Sequence, residues 1–319
     1  MPLLAFNHDV VKFFADRLNA KRLAHAYLLI APTHAGKFDT AMAIASVVNC
    51  QAGQALPCGQ CASCMKIANN NHPDIMVLAK DEDSLKVEHV RGLLSRAQLR
   101  AYEARMKVFV VPDCERMTIE AANAFLKTLE EPAANTLMLL TISQPEHVLA
   151  TVKSRCQWVR FAPEGQQASV NHLTSLGADQ EEANFIARFS DGWVTVGESL
   201  HRDGFYARKK EIVAAFLIKG MTDELIKDFV DEPDSGKEAL RVLSSLIRDA
   251  FVLQATHDEG LVVNDDQLKQ VKDLARYTPV QLSDILRQVK QIKVQIDENL
   301  NAKMAWQILK ERLWNTLSK

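Results

Sequence analysis

Apolar residues in the first half of the chain come in short unbroken runs, separated by stretches where they recur every three or four positions. Residues 25–31 (HAYLLIA), Lys107–Val111 (KVFVV) and Thr136–Ile142 (TLMLLTI) are such runs. They read as strands buried on both faces of a parallel sheet. Residues 75–78 and 157–161 add shorter strands. Between them lie helical periods. Residues 7–19 carry Val10, Val11, Phe14 and Leu18 on one face, with Asn7 or Asp9 available as the cap. Residues 39–49 and 87–99 form two more helices. A short helix over residues 123–132 places Ala122, Phe125, Leu126 and Leu129 together and is stopped by Pro132. A helical segment after Ile142 ends in Val152-Lys-Ser-Arg-Cys156.

After Pro163 the strands cease. Residues 170–176, 181–189 and 194–201 read as three short helices separated by Gly177 and Asp191-Gly192. From Phe205 onward the chain is helical by period. One stripe holds Leu240, Leu243, Ile247, Ala250, Phe251 and Gln254. A second holds Leu282, Ile285, Leu286, Val289, Ile292 and Ile296, and a third Met304, Ile308, Leu309 and Leu313. Stripes of this kind serve either a bundle core or an interface, and periodicity does not separate the two. The sequence carries no internal repeat.

Composition narrows the function classes. At 319 residues the chain exceeds the ~250 at which single cores stop growing, so two or three domains are expected. The longest apolar run of the helical half, residues 212–218, falls well short of the ~18 residues of a membrane span. The N-terminus lacks a basic segment followed by a long apolar core, so a cytoplasmic location without membrane attachment is the expectation. The net charge of −2 provides no global field to draw the chain onto nucleic acid.

Cysteine usage adds chemistry. Cys50 precedes Cys58-Gly-Gln-Cys61-Ala-Ser-Cys64, two overlapping Cys-x-x-Cys units plus a fourth thiol. Zinc takes four thiolates tetrahedrally, and a tight Cys-x-x-Cys turn presents two of them to one ion. Four protein ligands leave no open position, so a structural Zn2+ is expected; the alternative is scattered reduced thiols. Cys114 and Cys156 read as small buried apolar residues. His72, in Asn71-His72-Pro73-Asp74, reads as a turn or packing histidine. Arg91, Arg96 and Arg100 read as a solvated helix face.

The strand at 25–31 leads into Pro32-Thr-His-Ala-Gly36-Lys37-Phe38 and then a helix, the context of a phosphate-binding loop. The motif G-x-x-x-x-G-K-[ST] keeps only Gly36 and Lys37. Ala31 replaces the first glycine, and Phe38 replaces the hydroxyl that a hard cation requires. An ordinary turn with a solvated lysine is the competing reading.

Asn123-Ala-Phe-Leu-Lys-Thr-Leu-Glu-Glu-Pro132 followed by Ser154-Arg155-Cys156 resembles the AAA+ core of bacterial sliding-clamp loader subunits. The resemblance implies an α/β AAA+ (RecA-like) core with a parallel sheet over residues 1–162. It places a zinc module at about residues 50–64, a helical lid over 163–205 and an all-α collar over 206–319. It also marks departures from the family's ATP site. His34 stands where a loop glycine is usual and is a poor substitute for one at positive φ. Pro112-Asp113 replaces Asp-Glu at the end of the strand Lys107–Val111. In Ser190-Asp-Gly-Trp-Val-Thr195, threonine takes the place of a γ-phosphate arginine. The implied chain binds no ATP of its own and offers Arg155 as an arginine finger to a neighbouring subunit's site. It assists an assembly with tau/gamma ATPase and delta subunits, within the DNA polymerase III holoenzyme, that places the sliding clamp on primed DNA. An ATP-hydrolysing loader subunit and a stand-alone zinc-containing nucleic-acid-binding module are the rival readings.

Overall fold

The computed structural model describes residues 6–78, 84–97, 99–218, 221–297 and 302–317. Two compact units make up the chain. The first spans residues 1–164 with 193–196, and the second spans 165–192 with 197–319.

The first unit is built on α1 (His8–Asn19), β1 (Ala26–Ile30), α2 (Lys37–Asn49), α3 (Ala62–Ala68), β2 (Ile75–Val77), α4 (Val87–Ala97), β3 (Lys107–Val111), α5 (Ile119–Glu130), β4 (Thr136–Ile142), α6 (Ala150–Lys153) and β5 (Gln157–Arg160). The five strands form one sheet in the order β2-β3-β4-β1-β5, and every pairing is parallel. The unbroken apolar runs are the middle of that sheet: every residue of β1, β3 and β4 is buried. Alternate side chains feed two cores. Tyr27, Leu29, Val108, Val110, Leu137 and Leu139 pack with α1 and α2 on one face. Leu28, Phe109, Val111, Met138 and Leu140 pack with α4 and α5 on the other.

Asn7 is the cap of α1, its side chain accepting from the Val10 N–H at 3.0 Å. The helix around the Asn123 motif starts earlier than its apolar spacing indicates. Thr118 caps it through the Ala121 N–H, and the exposed Ile119 opens its first turn. Helix α3, inside the cysteine cluster, has no apolar period of its own.

Polar anchors fix the loops that lead to the strands. Asp74, next to β2, is almost wholly buried, and its carboxylate accepts the N–H groups of Tyr102, Glu103 and Ala104, each at 2.8 Å. Burial alone would raise its pKa; these three donors reverse that and hold it below the ordinary value. Asn49 makes a two-way bridge to the Met106 backbone, with both bonds at about 3.0 Å.

The second unit contains α7 (Gln166–Ser175), α8 (Gln180–Phe189), α9 (Val194–Arg202), α10 (Phe205–Leu217), α11 (Asp223–Asp231), α12 (Pro233–Thr256), α13 (Leu268–Leu274), α14 (Pro279–Asp297) and α15 (Ala302–Leu317), with the start of α9 counted in the first unit. Gly192 holds φ +78, and a Cβ there would meet the Gly165 backbone at 2.8 Å, so only glycine fits. The first two apolar stripes face inward: Leu240, Leu243, Ile247, Leu282, Ile285 and Val289 are all buried. The third is inward only in part, with Leu309 buried as expected. Ala305, Trp306 and Leu309 are the inward positions, whereas Met304 and Ile308 are 59% and 41% exposed. Trp306 stacks on Phe229, with ring centroids 4.8 Å apart. The Leu313 side chain and Met1–Ala5 lie outside the described residues.

A buried cation joins helix α8 to α10 in this unit. Lys209 has no exposed surface; its ammonium lies 3.6 Å from the Phe185 ring centroid and is paired with the carboxylate of Asp266. Phe189 and Phe205 stack beside it at 4.9 Å. Arg188 extends the junction by donating to the Val262 carbonyl at 2.9 Å.

The Asp74 anchor gives a stability prediction. Asp74→Ala leaves three N–H donors without their charged acceptor and should cost about 2–4 kcal/mol in urea unfolding. Because the folded-state pKa is depressed, the carboxylate stabilises above the unfolded value. The gap between wild type and variant should therefore shrink as pH falls below ~4. A pH-independent gap would show that Asp74 acts through packing alone.

Candidate metal centre and nucleotide loop

Helix α2 ends at Cys50, whose extended backbone turns the chain away from the core. Gly59 holds φ +69 and shapes the Cys58-Gly-Gln-Cys61 turn. Cys61 then caps α3, which carries Cys64 in its first turn. The four sulfurs lie within 4.8 Å of one another, and the Cys58 and Cys64 sulfurs are 3.9 Å apart. A tetrahedral ion at ~2.3 Å from each sulfur sets sulfurs ~3.8 Å apart. The donor set therefore fits zinc.

Backbone donors prepare these thiols. The Cys61 N–H points at the Cys58 sulfur at 3.4 Å, and the Cys64 N–H at the Cys61 sulfur at 3.5 Å. The N–H groups of Gln60 and Cys61 lower the Cys58 pKa to about 6. In Cys61, burial works against the same kind of donors, and the net shift is still downward. Cys64, buried beside other sulfurs, is pushed upward. Four thiolates this close need a compensating cation, which a divalent metal supplies. His72 stays outside the set: its Nδ1 accepts the Asp74 N–H at 3.2 Å, as a turn residue does. Cys114 and Cys156 are buried away from the cluster.

The glycine-lysine loop differs from the solvated turn in one decisive respect. Lys37 is buried, 6% exposed. Its ammonium donates to the Ala31 carbonyl at 3.1 Å, the Pro32 carbonyl at 2.8 Å and the Ser143 hydroxyl at 2.7 Å. Lysine has three donors, and three protein oxygens surround them. His34 does adopt the left-handed conformation, at φ 64, and Gly36 does so at φ 63. The missing glycine has therefore not changed that feature of the loop backbone. Phe38 lines a groove of about 290 Å³ together with Met42, Ile67, Ile75 and Val77, beside Asn70 and His72.

The far wall of the loop comes from the ends of β3 and β4. Pro112 is buried, and Asp113 takes φ 47 with its N–H donated to Thr141 Oγ1 at 3.0 Å. Glu115 Oε1 accepts the Ser143 N–H at 2.7 Å, while Oε2 is buried without a hydrogen-bond partner among the described residues. Ser143 and Glu115 escaped the sequence analysis, because single polar residues after strands carry no spacing signal. Thr195 is half-buried, and its hydroxyl has no partner among the described residues.

Arg155 follows α6. Its guanidinium pairs with Glu130 of α5, the Nε bond being 2.9 Å, and donates to the Thr151 carbonyl at 3.0 Å. Both partners are partly exposed, at 34% and 49%. Arg91, Arg96 and Arg100 are exposed.

Sequence comparison assigns the family. The profile described as "DNA polymerase III, delta subunit" matches residues 6–165, and the one described as "DNA polymerase III, delta subunit, C terminal" matches 210–310. DNA polymerase III subunit delta' of Escherichia coli K12 is 32% identical over 285 residues, covering 87% of this chain and 84% of that protein. The chain belongs to the delta-prime family of clamp-loader subunits. The delta-prime subunit of Bacillus subtilis strain 168 is 27% identical over 301 residues, covering 92% of this chain and 91% of that protein. A solved DNA polymerase III gamma subunit-related protein from Thermotoga maritima is 18% identical, with 98% and 100% coverage and a TM-score of 0.45. Among the described residues no helix is long and apolar enough to cross a membrane.

The cysteine geometry predicts one zinc per chain by elemental analysis of protein purified without chelator. Cys61→Ser should weaken retention and release the metal at a higher pH during acid titration, since protons compete for the thiolates. Metal content well below one equivalent in wild type would exclude the assignment.

Proposed function

We propose that this chain is a non-hydrolysing subunit of the bacterial DNA polymerase III clamp loader. In this reading it works in the cytoplasm beside tau/gamma ATPase and delta subunits, helps the assembly place the sliding clamp on primed DNA, and is not an enzyme alone. Residues 1–162 act as the core, 163–205 as the lid and 206–319 as the collar that joins the other subunits. Zinc at Cys50, Cys58, Cys61 and Cys64 is structural, stiffening the connection between α2 and α3.

The observation that carries the reading is the Lys37 ammonium. Its contacts with Ala31, Pro32 and Ser143 occupy the donors that a phosphate would need. Displacing them costs the solvation they provide. Phe38 and Pro112 carry no side-chain oxygen and Thr195 no guanidinium, so the groups that would repay this are missing. The rival reading, an ATP-hydrolysing subunit, has the left-handed His34 and Gly36 in its favour. Calorimetric titration with Mg-ATP decides between them: no micromolar binding and no turnover are expected of the isolated chain, and either one overturns the proposal.

Arg155 is assigned to a neighbouring subunit's ATP site. Guanidinium is always charged, and its planar fork matches phosphate oxygens. Its bond to Glu130 supports a residue held ready rather than locked, because ion pairs this exposed contribute about 0–1 kcal/mol. Arginine fingers supply about 10³–10⁵ in rate. Arg155→Ala should leave the fold, zinc content and assembly intact and strongly lower DNA-stimulated ATPase of the reconstituted loader. Arg155→Lys should rescue poorly. Undiminished ATPase in the alanine complex would remove the finger assignment.

A further inference from the structure

Helices α12 and α14 pack side by side in the second unit and leave a cavity of about 340 Å³ along one side, closed at one end by Phe189 of α8. Its charge is all of one sign. Arg241 and Arg248 line it from α12, Lys290 and Lys293 from α14, and no acidic residue lines it. In a chain with 38 basic and 40 acidic residues, such a segregated group stands out against an otherwise balanced surface.

These cations are unspent. Among the described residues Arg248, Lys290 and Lys293 have no ion-pair partner, and all three are exposed. Some other surface cations of the same unit are paired, Arg208 with Glu238, Arg202 with Glu198 and Lys272 with Glu259; what sets the cavity apart is that four cations line one space with no acidic residue among them. Arg241 lies over the Phe189 ring at 5.3 Å, which fixes its guanidinium at the cavity mouth. The cavity also contains a hydroxyl suited to an anion. Ser245 is buried, and its oxygen accepts from Asn264 Nδ2 at 2.9 Å, leaving its own proton to donate.

Spacing limits the ligand. Arg241 and Arg248 are seven residues apart on one helix, ~10 Å along its axis, and Lys290 and Lys293 are ~4–5 Å apart. Two short basic rows face each other across a space that holds one or two phosphate groups. A single carboxylate balances only one of four cations. A group bearing several charges on compact tetrahedral centres matches the fork of arginine, the point charge of lysine and the serine hydroxyl together. We infer that the cavity between α12 and α14 is a binding site for phosphate-bearing ligands, either a free polyphosphate or the backbone of a single strand of nucleic acid. It is independent of the glycine-lysine loop, because every lining residue belongs to the second unit.

The test uses the full chain, with inorganic pyrophosphate and a short oligothymidylate as probes, followed by calorimetry and fluorescence anisotropy over a salt series. Wild type is expected to bind at least one of them, more weakly as salt rises. Replacing both Lys290→Gln and Lys293→Gln, at exposed positions, should weaken binding by about tenfold or more and reduce the log–log salt slope by about 2. Arg248→Gln should act in the same direction, with thermal melting and zinc content unchanged. Pyrophosphate that binds and displaces the oligonucleotide identifies a free polyphosphate site. Oligonucleotide binding that pyrophosphate leaves intact identifies a strand site. Absence of binding by both probes, equal binding in the glutamine variants, or capture of only an oligoglutamate peptide would each overturn the inference.

Discussion

Strand β4 sets the geometry of the first unit. It lies between β3 and β1, has no face open to water, and must therefore pair every backbone polar group with its neighbours. That requirement fixes where its C-terminal end emerges, and the loops collect there. The Ile142 carbonyl accepts the Ala31 N–H, Thr141 accepts from Asp113, and Ser143 accepts from Lys37 while donating to Glu115. Both stretches that would serve a nucleotide thus meet on one strand end. Here each bonds to that strand end.

The same unit manages a second concentration of charge at the far end of α2. Thiolates close together repel, and the backbone donors of the Cys58–Gly59–Gln60–Cys61 turn relieve only part of that repulsion. A divalent ion bound there would relieve the rest. One helix thus begins at a self-satisfied ammonium and ends at a thiolate cluster that calls for a cation.

The sequence was most legible where one local rule dominated. Lys107–Val111 and Thr136–Ile142 are strands with the expected bounds, because a run buried on both faces leaves little choice. The cysteines converge because two Cys-x-x-Cys turns act locally. The burial of Lys37 is not legible in the local sequence, where a solvated lysine fits equally well, because its third acceptor, Ser143, lies 106 positions away. His34 takes the left-handed conformation less easily than glycine would, yet adopts it, since the loop's bonds outweigh a modest intrinsic preference. In the third helical stripe Leu309 is inward as expected but Met304 and Ile308 are not, because they share the period of Ala305 and Leu309. Only the partner surface, here Phe216 and Phe229 around Trp306, selects the inward set.

Lys209 bears on how the helical unit comes apart. Its ammonium is enclosed by Phe185 from α8 and by Asp266 from the turn before α13, so three separate stretches of chain complete one environment. Withdrawing Asp266 would strand the buried ammonium without its counter-ion, at a cost of several kcal/mol, and withdrawing Phe185 would uncover it from the ring face. Melting of α8 therefore uncovers a cation carried by α10, which couples the opening of the helices before and after residue 204.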